Sequence, residues 1–392
     1  MFVILCCTFY SFRIFGNFYI SELILLLTLI AKVLNGRILD TAPLIGRFNR
    51  VLFLALVGAL ISDMVRGSDF TNGLKGFSLI FFTLINLNAL YLITRMNKTL
   101  IMYGFLGFAV SGLLSFFFQP NTYARSEVWK FGIGPSLTLI LIIFLSTWKF
   151  YFRSITQAVV MASWSLMSLF LGARSLALAV FMTSYFVFLD RKRFSKRKEQ
   201  SLHGLILVLV VSSLAFSSTY SILAEKGYLG QASKLKYQTQ TSNGNLILNS
   251  RGEFLFAGRA ILESPLIGHG SYGMMSPELR IDLSKFLSKF DVSFDVAPFN
   301  RTYGNRIPVH SMVLQWWLWF GILGLLFPLL LLRILFRTLR QRNLSPVGYF
   351  TVFSGIWSTI FSPYGEIFRI LIPLTMLLCM SYLINLKKNF NE

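Results

Sequence analysis

The sequence predicts an all-α integral membrane protein with about twelve transmembrane helices and one large periplasmic (extracytoplasmic) loop that contains short helices. Two observations support this prediction. The 392 residues are 55% hydrophobic and only 14% charged. Apolar runs close to the roughly 20 residues that cross a bilayer core recur along the whole chain. Because lipid offers no hydrogen bonds to an exposed backbone, these runs must be helical.

The basic residues lie mainly in short loops, and their placement predicts the orientation. The formal net charge is +21. The densest basic run lies within residues 191–198, a second within 333–342, and Lys387 and Lys388 lie near the end of the sequence. Short loops rich in Lys and Arg stay in the cytoplasm, so we expect both termini there. No recognisable nucleic-acid fold accompanies the charge, which therefore indicates topology and not a nucleic-acid partner.

The predicted spans follow from these basic loops. We place them at residues 2–15, 18–35, 49–65, 76–94, 99–118, 132–149, 154–171, 175–189, 202–218, 311–333, 347–361 and 366–386. Residues 1–218 thus hold helices one to nine, residues 219–309 the large loop, and residues 310–392 helices ten to twelve. The first run lacks the positive start of a signal peptide, so we interpret it as a short helix that stays attached.

Two short helices are predicted in the large loop. Ser250 to Glu253 forms a Ser-x-x-Glu capping box that can start the first helix, and Glu263-Ser264-Pro265 ends it. Ser276 as the N-cap and Pro277 at the first helical position start the second. Its apolar residues recur at helical spacing, which is typical of a helix lying on the membrane face or of one packed on the neighbouring loop. The sequence leaves both possibilities open.

Charged residues around this loop are candidates for chemistry. Arg259 and Glu263 are four residues apart on one predicted helix, so we expect them to pair. Arg251 has no such partner, and an unpaired guanidinium suits a phosphate, although a solvated surface arginine is the alternative. His310, at the end of the loop, could act as a general base, which we weigh against a structural role. Arg306 would help to keep it neutral.

Several stretches together resemble the O-antigen ligase and polymerase superfamily. They are Arg251 to Gly270, which includes Pro265-Leu266-Ile267-Gly268-His269-Gly270, then His310 to Leu314 and Gly321 to Gly324. The number of spans and the late loop are also similar. So is an arginine that follows a small-residue kink, here Gly172-Ala173-Arg174-Ser175.

The resemblance implies a bacterial membrane glycosyltransferase of surface polysaccharide (lipopolysaccharide) biosynthesis, acting at the outer face of the cytoplasmic (inner) membrane. It would polymerise or ligate repeat units from an undecaprenyl-diphosphate-linked oligosaccharide donor. The implied catalytic residues are His310, which would activate the acceptor hydroxyl, and Arg251. The implied ligands of the donor diphosphate are Arg174, Arg251 and Arg259, and fixed guanidinium groups can stabilise a leaving diphosphate without a metal.

The remaining expectations concern partners and cofactors. The expected partners are a glycan or lipid acceptor, membrane lipid and a chain-length regulator, and we expect no cofactor. The three cysteines, Cys6, Cys7 and Cys379, fall inside predicted spans and have no metal-ligand spacing.

The sequence departs from the family pattern in three places, and these bear on the acceptor. Ser311 stands where the family commonly has Asn, Phe256 where it often has Trp, and the aromatic residues at 316, 317 and 319 precede Gly321 where a Glu is common. We therefore prefer an O-antigen polymerase slightly to an O-antigen ligase that transfers the glycan to lipid A core. A transporter or flippase for lipid-linked oligosaccharide is a further alternative, but it would usually show paired repeats. A purely structural membrane protein leaves Arg251 and His310 unexplained.

Overall fold

The computed structural model describes most of the chain. The described residues are 1–13, 16–35, 42–147, 154–192, 202–241, 252–288, 306–341 and 344–391. Ser250 and Arg251, on which the predicted capping box and one catalytic assignment depend, lie outside them.

The described chain is almost entirely helical, which confirms the all-α class. The α-helices are Phe2–Cys6 (α1), Ile20–Leu34 (α2), Pro43–Arg66 (α3), Phe70–Thr94 (α4), Lys98–Phe118 (α5), Thr122–Ser126 (α6), Gly134–Thr147 (α7), Ser154–Phe170 (α8), Arg174–Lys192 (α9), Leu202–Glu225 (α10), Gln231–Thr241 (α11), Gly252–Glu263 (α12), Pro277–Ser288 (α13), Met312–Leu339 (α14), Pro346–Phe361 (α15) and Phe368–Asn391 (α16). A 3-10 turn, Cys7–Phe9, follows α1, and a π-helix, Val128–Ile133, leads into α7.

Among the described residues, six helices are long and apolar enough to cross a membrane. They are Pro43–Arg66, Phe70–Thr94, Lys98–Phe118, Val128–Thr147, Ile206–Glu225 and Met312–Leu339. Two shorter apolar helices are Ser154–Phe170 and Phe368–Ile384. The protein is thus an all-α membrane protein, and the count of about twelve spans stays a prediction.

The first predicted span, at residues 2–15, is wrong. After α1 and the 3-10 turn the chain becomes extended at Tyr10, and strand β1 (Ser11–Arg13) pairs antiparallel with β2 (Asn17–Tyr19). The Ile20 amide donates to the Tyr10 carbonyl at 3.2 Å and closes the hairpin. The polar residues Ser11, Arg13 and Asn17 interrupt the apolar run, and Gly16 supplies a positive φ of 114° for the turn.

Local sequence signals explain where several helices begin. The Ser311 hydroxyl accepts a hydrogen bond from the Leu314 amide and caps α14. Ser345 caps α15 in the same way, and Pro346 follows it at the first helical position. Ser311 therefore fills the N-cap role that an Asn would also fill, so this departure from the family pattern has a structural explanation.

Arg369, at the start of the last helix, forms a buried ion pair with Glu22 of α2 and a hydrogen bond to the N-terminal hairpin. The Arg369 Nη2 atom lies 2.8 Å from the Glu22 Oε2 atom, and the two side chains are 3% and 0% exposed. The same Nη2 donates to the Asn17 carbonyl at 2.6 Å, and the Asn86 side chain donates to Glu22 at 3.2 Å. These bonds compensate for the high cost of burying two charges. They fix the hairpin against the start of α16.

Candidate functional site

His310 and Glu253 come together where the large loop meets α14. The His310 Nδ1 atom lies 3.2 Å from the Glu253 Oε1 atom, and the two side chains are 43% and 23% exposed. Glu253 lies in the first turn of α12, and His310 directly precedes Ser311, the N-cap of α14. The contact has the distance of an ion pair but is not aligned as a hydrogen bond. The pair brings a side chain that can accept a proton and a carboxylate together at the start of α12.

The glycine-rich turn after α12 fits into a break in α14. Gly321 has φ 63° and ψ −157°, which interrupts the helix. At the break the Leu266 carbonyl accepts a hydrogen bond from the Ile322 amide at 3.1 Å, and the His269 amide donates to the Leu318 carbonyl at 2.7 Å. Two of the sequence stretches that carry the family resemblance, Pro265–Gly270 and Gly321–Gly324, are therefore bonded to each other.

No side chain fits at the point of closest approach. A Cβ atom on Gly321 would lie 2.0 Å from the Leu266 carbonyl oxygen, and one on Gly268 would lie 2.7 Å from the Gly321 amide nitrogen. Both glycines also have positive φ, which other residues adopt at a cost. The docking of the turn on α14 thus depends on glycine at both positions.

The end of α3 holds the same turn from the other side. The Asp63 carboxylate accepts hydrogen bonds from the Ser271 amide at 2.6 Å and from the Ser271 hydroxyl at 2.7 Å. The Ser62 hydroxyl accepts from the Gly270 amide at 2.8 Å, and Arg66 Nε donates to the Gly268 carbonyl at 2.9 Å. These four hydrogen bonds hold the turn that follows α12 on the end of α3.

His269 has a structural role in this turn. Its side chain is 5% exposed, and its Nε2 atom lies 2.7 Å from the Ala260 carbonyl oxygen. Burial lowers the pKa of His269 below its usual 6.5, and the bond to Ala260 opposes that shift only in part. The neutral ring therefore joins the turn to α12.

The predicted pairing of Arg259 with Glu263 is wrong. Arg259 Nη2 instead contacts the Asp282 carboxylate on α13. The physical reason is packing: Leu279 and Leu283 of α13 are buried in the protein core, and this places Asp282 next to α12. The two buried leucines also show that α13 packs on its neighbours, the second of the two possibilities for this amphipathic helix. Arg259, a candidate diphosphate ligand, already has an acidic partner.

Arg174 begins α9, directly after the predicted kink. Gly172 has φ 80°, and the Ala173 amide donates to the Ser168 carbonyl at 2.9 Å, so the chain reverses sharply between α8 and α9. The Arg174 guanidinium carbon lies 3.7 Å from the centre of the Tyr220 ring on α10, a cation–π contact. This contact fixes the cation next to Ser175, which lines the main cavity of the described structure.

The main cavity has a volume of about 670 Å³ and is lined by residues of several helices, among them α5, α7, α9, α15 and α16. Its polar wall comes from Lys130, Glu366 and a set of serines; the serines include Ser111, Ser115, Ser175, Ser354 and Ser358. A narrower, mainly apolar cavity of about 200 Å³ continues from it, since both share Phe108, Pro135 and Leu176. A wider space with polar side chains in its wall and a narrower apolar extension suits a headgroup joined to a hydrocarbon chain.

A second polar cavity, of about 430 Å³, lies on the other side of Glu366, which lines both spaces. Pro308 and Val309, the two residues before His310, are part of its wall. Ser175, directly after Arg174, lines the first cavity, and Glu366 is part of both walls.

Three features of this site do not follow from the sequence. From the sequence alone, Glu253 is recognisable only as part of a helix cap, and Lys130 and Glu366 have no assigned role. One signal is readable: Ser354 and Ser358 are four residues apart, as are Ser111 and Ser115, and this spacing gives each of two helices a polar stripe. The pairing of Glu253 with His310 has no such signal, because 57 positions separate them in the numbering.

Comparison with known proteins supports the resemblance. A family model described as O-antigen ligase matches residues 157–329. The matched region includes Arg174, Glu253, His310 and Gly321, so the resemblance to the O-antigen ligase and polymerase superfamily is confirmed. No curated protein and no solved structure matches the chain significantly. The match and the apolar helices support a bacterial membrane protein with a function of the O-antigen ligase or polymerase type.

Proposed function

We propose that this relative of the O-antigen ligases is a glycosyltransferase at the outer face of the bacterial cytoplasmic membrane. It transfers a glycan from an undecaprenyl-diphosphate-linked donor to a sugar hydroxyl, with His310 as the base. The observation that carries the proposal is the contact of His310 with Glu253, directly after Pro308 and Val309, which line one cavity. That cavity shares Glu366 with a second one, which has Lys130 in its wall and an apolar extension.

In the proposed reaction, the acceptor hydroxyl oxygen attacks the anomeric carbon of the donor. A new carbon–oxygen bond forms, the hydroxyl proton passes to His310, and the bond between the anomeric carbon and the diphosphate breaks. The electron pair of that bond leaves with the diphosphate. Glu253 stabilises the imidazolium that forms, as a carboxylate does for the histidine base of other enzymes.

The developing charge on the diphosphate requires fixed cations. Arg174 is held by its contact with Tyr220, and Lys130 lies in the cavity wall, paired with Glu127 at 2.8 Å. Guanidinium groups bind phosphate oxygens in a planar, bidentate geometry. We propose Arg174 and Arg251 as donor ligands, with Arg259 as a third whose charge is partly compensated by Asp282. In this scheme the cations take the place of a metal.

The apolar cavity of about 200 Å³ is our proposed entrance for the first isoprene units of the carrier. Phe105, Leu139 and Ile372 line it, and they come from three different helices of the bundle. A hydrocarbon chain that enters here from the bilayer brings its diphosphate to the polar cavity, next to Lys130 and Ser175.

The test is a complementation experiment in a strain that lacks the gene. His310→Ala, Arg251→Ala and Arg174→Ala should each abolish mature surface glycan while the protein remains inserted in the membrane. Lys226→Ala is the control, because Lys226 is an exposed basic residue and neither it nor its neighbours in the chain line either cavity. Normal glycan from the His310 and Arg251 variants would refute the proposal.

We prefer the polymerase slightly to the ligase, and the product distinguishes them. Elongated lipid-linked glycan identifies a polymerase, and transfer to lipid A core identifies a ligase. A chain-length regulator would then be a partner of the polymerase. Movement of the lipid-linked glycan across the membrane without a covalent product identifies a transporter instead.

A further inference from the structure

The second cavity combines aromatic, cationic and anionic side chains in one wall. Its volume is about 430 Å³, and Tyr272, Arg306, Trp319 and Glu366 line it. The apolar residues Ile307, Pro308 and Val309 supply another side of the wall. The residues come from the turn after α12, the segment before α14, α14 itself and the segment before α16, so the cavity lies where these elements meet.

Arg306 is held by an aromatic stack. The Tyr272 ring stacks on the Trp319 ring with 4.8 Å between their centres and 28° between their planes. The Arg306 guanidinium carbon lies 4.7 Å from the centre of the Tyr272 ring. Arg306 is exposed, and no acidic side chain pairs with it within the described part of the chain. A planar guanidinium presents a fork of N–H donors that can bind a ligand through two hydrogen bonds.

The backbone beneath this stack is constrained. Tyr272 has φ 68°, a conformation that residues with a side chain rarely adopt. The Ile307 amide donates to the Gly273 carbonyl at 2.8 Å, and Met274 forms an antiparallel bridge with Arg306. Strain of this kind persists only where the surroundings enforce it, and it often marks a binding site.

Glu366 supplies the opposite charge and the connection to the first cavity. Its Oε1 atom accepts a hydrogen bond from the Asn17 amide at 2.9 Å, which fixes the carboxylate. Because Glu366 lines the second cavity, its carboxylate is an acceptor that complements the donors of Arg306. Sugar hydroxyls both donate and accept, so a guanidinium and a carboxylate in one cavity suit a sugar, whose C–H faces can pack on the apolar side.

We propose that this cavity binds the acceptor sugar, with its hydroxyls held by Arg306 and Glu366. The inference rests on the proposed function: the nucleophilic hydroxyl has to reach His310 from one side and the donor from the other. The second cavity is suitably placed, because its wall includes Val309, the residue directly before His310, and shares Glu366 with the donor cavity.

The test measures binding of the sugar separately from binding of the diphosphate. The probes are the repeat-unit oligosaccharide, released from its lipid by mild acid, and undecaprenyl diphosphate without sugar. The full-length protein is placed in lipid nanodiscs, and saturation-transfer NMR detects the oligosaccharide even at millimolar affinity.

Arg306→Lys and Tyr272→Asn are the test variants. Arg306→Lys keeps the positive charge but loses the planar guanidinium group. Tyr272→Asn removes the aromatic ring, and Asn tolerates the positive φ at this position. Each should weaken oligosaccharide binding by about tenfold, the effect of losing roughly one charged hydrogen bond. Binding of undecaprenyl diphosphate should not change. Tyr272→Phe, which keeps the ring, is the matched control and should bind both probes normally.

Two results would overturn the acceptor site: a wild-type protein that does not bind the oligosaccharide, or variants that lose undecaprenyl diphosphate and keep the oligosaccharide. Failure of the proposed function is recognised separately. If the wild type binds the oligosaccharide at this cavity but forms no covalent product, the sugar site stands and the transferase does not.

Discussion

The Nδ1 atom of His310 lies 3.2 Å from the Oε1 atom of Glu253. The two residues belong to different elements, and the docking of the turn Pro265–Gly270 on α14 helps to bring those elements together. The proposed base and its carboxylate therefore depend on the hydrogen bonds around Gly321, although Gly321 takes no part in the reaction.

Replacing Glu253 by Gln should slow transfer without weakening donor binding. The amide keeps the size of the side chain but loses the charge that stabilises a protonated His310. We expect a smaller loss than from His310→Ala, which should cost about a hundred- to ten-thousand-fold. The rate of product formation at saturating donor is the measurement. Glu263→Gln, an exposed position at the other end of α12, is the control, and equal rates in both Gln variants would contradict the role of Glu253.

Gly321→Ala should separate the turn from α14. The new Cβ would lie 2.0 Å from the Leu266 carbonyl oxygen, and φ is 63°. We expect a destabilisation of at least about 2 kcal/mol, a large effect that a forced backbone shift can produce. Thermal unfolding in detergent and amide hydrogen exchange of residues 264–273 measure it. Gly258→Ala is the matched control, since Gly258 is helical and a Cβ atom there would meet no other atom within 4 Å; it should be neutral or slightly stabilising.

The pair of Glu22 and Arg369 should behave as a unit. Glu22→Gln or Arg369→Met alone leaves a buried charge without its partner, which typically costs about 3–5 kcal/mol. The combination Glu22→Leu with Arg369→Met should cost clearly less than the sum of the single changes. Unfolding of all variants in the same detergent gives the coupling free energy. If the double variant loses as much stability as the two single variants together, the two charges do not depend on each other.

The stability of the glycine-rich turn should fall in mild acid. Burial lowers the pKa of His269 below 6.5 in the folded protein, so between 6.5 and that lower pKa the unfolded state binds more protons. The contribution of His269 is therefore complete above pH 6.5 and is lost as the pH falls through the folded-state pKa. His269→Gln cannot titrate, and the difference in stability between it and the wild type should depend on pH in this window. A constant difference would contradict the buried neutral ring.

Local signals in the sequence predict the local structure correctly. The first loop helix ends at Glu263 and the second begins at Pro277, because capping and breaking residues act over a few positions. The same locality explains the errors. The four-residue spacing suggests that Arg259 pairs with Glu263, but packing of α13 brings Asp282 closer. The first apolar run looks like a span, although Gly16 and its polar neighbours turn it into a hairpin.

The candidate site is predictable only in part. His310 and Arg174 can be selected by type, position and resemblance, but nothing local connects His310 to Glu253. Glu366 could not be selected from the sequence either. The two cavities that it lines form between helices that are distant in sequence, and a single carboxylate in a short connection does not indicate such a position. The serine stripes of α5 and α15 are visible as a spacing, and only the bundle shows that they face the same space.

The most direct test of the proposed function is transfer by the purified protein in nanodiscs. The donor is undecaprenyl-diphosphate-linked repeat unit from the strain that carries the gene, and lipid A core is offered in a parallel reaction. We expect elongated glycan, or glycosylated lipid A core, together with released undecaprenyl diphosphate, and neither product from His310→Ala. No covalent product from the wild type, or equal product from His310→Ala, would contradict the proposed glycosyltransferase.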